Sequence, residues 1–151
     1  VEARGNMLIG AMLAGKSFAN SPVAAVHALA YPIGGTFHVS HGLSNSLVLP
    51  YVLKFNSADN KATKDYAELA SFVFPDINTD QGNQAVCSEF IDRIESLSKK
   101  LGLPQKLREV NIPKEACEKM AKDAMKQTRL LVNNPREVTE KDALNIYESA
   151  W

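Results

Sequence analysis

Ala24-Ala25-Val26-His27-Ala28-Leu29-Ala30-Tyr31-Pro32-Ile33-Gly34-Gly35-Thr36-Phe37-His38-Val39-Ser40-His41 decides how the chain reads. It joins the strongest break signals in the sequence to all of its histidines. The apolar run up to Tyr31 has helical spacing and the composition of a buried helix. Pro32 and Gly34-Gly35 should end that helix, because proline lacks the amide proton and glycine favours other backbone states. A loop is expected from Ile33 to Ser40. Ser40 is then placed to cap the next helix, His41 to about Phe55, with Pro50 expected to kink it.

Outward from this segment the chain reads as one helix after another, with no strand alternation longer than four residues. Val1 to about Ala19 forms a first helix, with Met7, Leu8, Ala11, Met12, Gly15 and Phe18 on one face. Ser21 and Pro22 are the expected cap and first residue of the second. Ser57 or Asp59 starts a fourth helix, to about Phe72. Gln84 to Leu101 is amphipathic and stops at Gly102. A helix of roughly Lys114 to Gln127 follows, and Thr139 with Asp142 forms a capping box for the last one. The expectation is a single all-α domain, a compact bundle of about seven helices.

Bulk properties narrow the partners. The 151 residues suit one domain, and Lys+Arg and Asp+Glu are both 17. With no basic excess to neutralise phosphates, nucleic acid is not an expected partner. No apolar run reaches the ~18 residues of a membrane span. The start at Val1, without a signal layout, suggests a fragment or processed chain. Cys87 and Cys117 fall within helical patterns and read as small core residues in a reducing, cytoplasmic setting.

His27, His38 and His41 lie within fifteen residues, and no other histidine occurs. His27 sits on the apolar second helix with Tyr31 one turn on, on the same face. His41 falls in the first turn of its helix, where the macrodipole disfavours the imidazolium and leaves the ring neutral, as a metal needs. The plain packing readings are a hydrogen-bonded core histidine and a partly exposed helix-start residue. A catalytic divalent metal usually takes three protein ligands, and no carboxylate lies between Glu2 and Asp59. Either His38 completes a three-histidine site, or the other ligands come from a segment outside this sequence.

The block Ala25-Val26-His27-Ala28-Leu29-Ala30-Tyr31-Pro32-Ile33-Gly34-Gly35, followed by Phe37-His38-Val39-Ser40-His41-Gly42-Leu43-Ser44-Asn45, closely resembles a signature of the iron-containing (group III) alcohol dehydrogenases. Leu47 to Pro50, Phe55-Asn56 and the tail Asn134 to Thr139 extend the resemblance over nearly the whole chain. It implies the helical C-terminal domain of a dehydroquinate-synthase-like two-domain enzyme, whose N-terminal domain binds NAD(P). It further implies Fe²⁺, or Zn²⁺ in some members, held by an Asp and three histidines. His27 and His41 match two of these, while the Asp and third His belong to an upstream Asp-x-x-x-His helix this sequence lacks. His38 matches a loop position that is not a ligand. Phe18 and Tyr31 are implied to border the substrate pocket, and Tyr31 stands where many members carry a further histidine. The implied reaction is oxidation of a small alcohol to an aldehyde or ketone, in a protein that is potentially a homo-oligomer. The alternatives are a maleylacetate-reductase-like or glycerol-dehydrogenase-like enzyme, and a helical interaction domain with structural histidines.

Overall fold

A computed structural model describes residues 1–151 and contains only helices and connecting segments. Eight α-helices run in order: α1 Glu2–Asn20, α2 Ala25–Phe37, α3 His41–Asn56, α4 Asn60–Val73, α5 Asn83–Lys100, α6 Ala116–Ala124, α7 Thr128–Leu131 and α8 Glu140–Ala150. Short 3₁₀ turns lie at Thr79–Gln81 and Leu107–Val110. No helix is long and apolar enough to cross a membrane. The all-α reading holds, with one more helix than the count of about seven.

The main core is built where α2, α3, α6 and α8 meet. Leu29, Ile33, Leu47, Val48, Met120 and Ile146 fill it, and all are buried. Alanines 25 and 28 on α2, 121 and 124 on α6, and 143 and 150 on α8 also lie in it. Small side chains let these helix axes approach closely while the larger residues interlock. Tyr147 is fully buried, and its hydroxyl donates to the Leu29 carbonyl at 2.6 Å, tying α8 to α2. Burial pushes that phenol's pKa far above the usual range, so the group stays a neutral donor. A second, smaller core lies between α4 and α5, around Ala67, Ala70, Val86, Cys87, Phe90 and Ile91. Cys87 and Cys117 are both buried, one in each core, and burial raises both thiol pKa values.

Several boundaries follow their sequence signals. Asp59 caps α4, its carboxylate accepting from the Ala62 amide at 2.8 Å. Gly102 takes a left-handed φ of 71° just past α5, as a glycine stop should. Thr139 and Asp142 form the full reciprocal capping box of α8. The tail is pinned by a two-way amide pair between Asn56 and Asn134 and by Arg136, which donates to the Phe55 carbonyl and lies 3.9 Å from the centre of the Phe55 ring.

Other expectations are corrected. The second helix does not stop at Tyr31: α2 continues through Pro32 and both glycines to Phe37, leaving only residues 38–40 outside helix. Proline deprives the helix of one hydrogen bond, but Pro32 and Ile33 are both buried, and that burial outweighs the lost bond. The start shifts too. Ser21 closes α1 through its amide to the Ser17 carbonyl, and α2 begins only at Ala25. Ser40 precedes α3, but its side chain makes no capping bond. The helix expected from Lys114 to Gln127 is shorter, with α7 as a separate turn after it. No residue of α1 is buried, against the expected packing of one face. Residues 5–15, Gly-Asn-Met-Leu-Ile-Gly-Ala-Met-Leu-Ala-Gly, are apolar around the whole circumference and so specify no single inward face.

Two substitutions probe the ties on α8. Tyr147→Phe and Thr139→Ala should each lower stability by about 1 kcal/mol, one from a lost buried hydrogen bond and the other from a lost cap. Urea unfolding followed by circular dichroism checks both; an unchanged midpoint for Tyr147→Phe would show that its hydroxyl contributes nothing.

Candidate metal centre

Two helices bring their imidazoles side by side. His27 lies in the first turn of α2, and His41 is the first residue of α3. The turn between the helices is short and held from within. His38 ends α2 in the left-handed region (φ 55°, ψ 25°), its amide bonding the Gly34 carbonyl at 3.0 Å. A β-carbon at Gly34 would meet the Val39 carbonyl at 3.3 Å, so glycine there allows the chain to fold back closely. The buried Ser44 hydroxyl lies 3.0 Å from the Ser40 carbonyl and 3.2 Å from that of Val39, clamping the turn from below.

The result is a pair of rings with centroids 5.2 Å apart, inclined at 53°. Tyr31 lies alongside His41, with centroids 6.2 Å apart and planes 29° from parallel. His27 is half-buried, and desolvation, with a smaller contribution from the neighbouring His41, lowers its pKa below the ordinary imidazole value. The ring is therefore neutral near pH 7, the state in which imidazole binds a metal.

His38 does not join the pair. It is exposed at the helix end, and no third His, Cys, Asp or Glu stands with the two rings. Phe18, on the unpacked α1, is 56% exposed and takes no part in the ring cluster. Tyr31 is 44% exposed and borders an open cavity of about 350 Å³ that reaches Thr128, Arg129 and Leu130. The larger depression between α3 and α8, about 450 Å³ around Tyr51, Asp142 and Asn145, includes none of the histidines.

One residue at the site carries a signal that was passed over. Asn45 sits one helical turn after His41, and its amide nitrogen lies 3.1 Å from both the His41 ring Nε2 and the His41 carbonyl. Its own oxygen, Oδ1, is buried without a hydrogen-bond partner. The i, i+4 spacing to His41 was visible in the sequence; the orphaned oxygen was not. Two imidazoles, one of them with its pKa lowered by burial, suit a divalent ion of the iron or zinc type. As a donor set they fall short of the three protein ligands a catalytic ion usually takes, and the unsatisfied polar atom beside them fits a site completed by further groups.

Residues 1–151 match the model of the Fe-containing alcohol dehydrogenase family, C-terminal. Long-chain-alcohol dehydrogenase 1 of Geobacillus thermodenitrificans is 38% identical over 156 residues, covering 99% of this chain and 37% of that protein. The 1,3-propanediol dehydrogenase of Citrobacter freundii is 33% identical, covering 100% of this chain and 38% of its own length. Among solved structures, an alcohol dehydrogenase from Oenococcus oeni superposes with a TM-score of 0.85 at 30% identity, over 93% of this chain and 36% of that one. The chain thus spans well under half the length of the relatives it matches. With its whole length inside the family's C-terminal part, it belongs to the Fe-containing alcohol dehydrogenase family.

Proposed function

We propose that this chain is the metal-carrying part of an alcohol:NAD(P) oxidoreductase, with His27 and His41 as two ligands of a ferrous ion, or of zinc in its place. The observation that carries the reading is the convergence of two imidazoles from different helices, 5.2 Å apart, with no third ligand beside them. When bound, such an ion acts as a Lewis acid on the alcohol oxygen and lowers its pKa. The chain's own residues supply the rest of this half. The rigid ends of α2 and α3 fix both rings, as a ligand pair requires. Tyr31 borders the substrate with a hydroxyl where many family members place an imidazole, while the pocket role of Phe18 rests on the resemblance alone. The depression beside Tyr31 is open on its outer side, so a covering wall has to exclude water during reaction.

That wall is the nucleotide-binding domain in this reading. The relatives extend far beyond the matched region, and this chain has no strand–turn–helix unit to hold NAD(P). Helix α1 supports the same arrangement. An all-round apolar helix is stable only when surrounded, yet Met7, Leu8, Ile9, Met12 and Leu13 are all more than half exposed. The complementary part of the enzyme covers them. The setting is the cytoplasm, in keeping with two buried free thiols.

Two outcomes follow. The isolated chain folds as a helical domain but oxidises no primary alcohol with NAD⁺ or NADP⁺; turnover by the purified chain would remove the two-part reading. In the same chain Zn²⁺ binds weakly, and His27→Ala and His41→Ala each lower its affinity at least about tenfold, the usual cost of a lost ligand-shell group. His38→Ala leaves affinity within about twofold, well below that per-ligand cost. Isothermal titration distinguishes this from a three-histidine site, in which all three variants lose affinity alike.

A further inference from the structure

Asn45 and His41 are in direct polar contact through both the ring and the backbone of the histidine. The Asn45 amide nitrogen approaches the His41 carbonyl and the His41 ring Nε2, each at 3.1 Å. A backbone carbonyl only accepts, so the side of the amide that faces it is the NH₂ side. Both amide hydrogens are then used on one residue, and Nε2 is the acceptor of the second. The imidazole proton consequently sits on Nδ1. The opposite assignment would turn Oδ1 towards a carbonyl oxygen, which offers it no hydrogen.

A neutral imidazole offers a single in-plane lone pair. In this arrangement that pair is engaged by the Asn45 N–H. Coordination through Nε2 needs the same lone pair. Coordination through Nδ1 moves the proton to Nε2, where it would point at the Asn45 N–H. Either way, the hydrogen bond breaks when His41 takes a metal. The engaged state also carries a cost of its own, because Asn45 Oδ1 is buried with no donor. A swing of the side chain would free the ring and release that oxygen to find a partner.

We propose that Asn45 is a positioning residue that latches His41: its amide engages the ring Nε2, and an ion that takes this ring has to displace it. The proposal rests on the reading of His41 as a ligand. It gives the site two defined arrangements, one closed on Asn45 and one closed on the metal. Asn45 thus competes with the ion for one nitrogen, while its bond to the His41 carbonyl keeps it within reach.

The test uses the 151-residue chain, labelled with ¹⁵N and titrated with Zn²⁺ alone. The Asn45 side-chain NH₂ resonances shift in step with the His41 imidazole as zinc is added. Asn45→Ala and Asn45→Leu both bind Zn²⁺ more tightly than the wild type, by roughly two- to tenfold, the worth of one neutral hydrogen bond. The leucine variant fills the volume of the amide, separating the lost bond from lost packing. A merely structural asparagine would give the opposite sign, weaker binding together with lower stability. Equal or weaker binding in both variants with helical content retained overturns the latch, as does an Asn45 NH₂ signal that stays fixed in the wild type at zinc saturation. If neither His27 nor His41 responds to zinc in any variant, the metal reading itself fails and the latch with it.

Discussion

Three residues outside helix, His38 to Ser40, determine how α2 and α3 meet, and the histidine pair depends on that corner. The corner is over-determined. Gly34 lets the Val39 carbonyl approach, His38 accepts the left-handed conformation that ends α2, and the one Ser44 hydroxyl lies within hydrogen-bond reach of two carbonyls of the turn. A longer or looser connection would let the two rings drift apart. The order in the corner comes from backbone groups and one hydroxyl, not from charge, so salt has little to screen there.

The corner is stiff because its two helices are anchored elsewhere. α2 is gripped from behind by α6 and through the Tyr147–Leu29 bond to α8, while α3 contacts α8 on one side and α5 on the other. Ala25 and Ala28 lie on either side of His27 in sequence, and both are fully buried. The histidine therefore projects from the rim of a packed element and not from a loop. That accounts for its state: enough desolvation to keep the ring neutral, enough exposure to meet an ion.

Much of this was legible in the sequence where a local signal had no competitor. The Thr139–Asp142 box, the Asp59 cap and the glycine after α5 are each complete within a few residues, and tertiary packing had no reason to override them. Pro32 with Gly34-Gly35 misleads because the local preference for a break is opposed by the burial of Ile33 in the main core, which draws on α3, α6 and α8. α1 misleads for another reason. Apolar content alone predicts burial, yet no residue of this helix is buried. At the site, the histidines and Tyr31 could be read from spacing and resemblance. Asn45 could not, since its part depends on which side of an amide faces a carbonyl.

The two cores are separate clusters, and that division has a kinetic meaning. The α4–α5 pair rests on its own apolar cluster and is tied to the rest chiefly through α3, with Lys54–Glu95 and Ser46–Ser98 among the polar links. The first of those links is solvent-exposed and worth little. A hairpin held this way behaves as its own cooperative unit, able to open while α2, α3, α6 and α8 stay closed. Opening on the α4–α5 side then leaves the packed faces of α2 and α3, and with them the support of the histidine pair, closed.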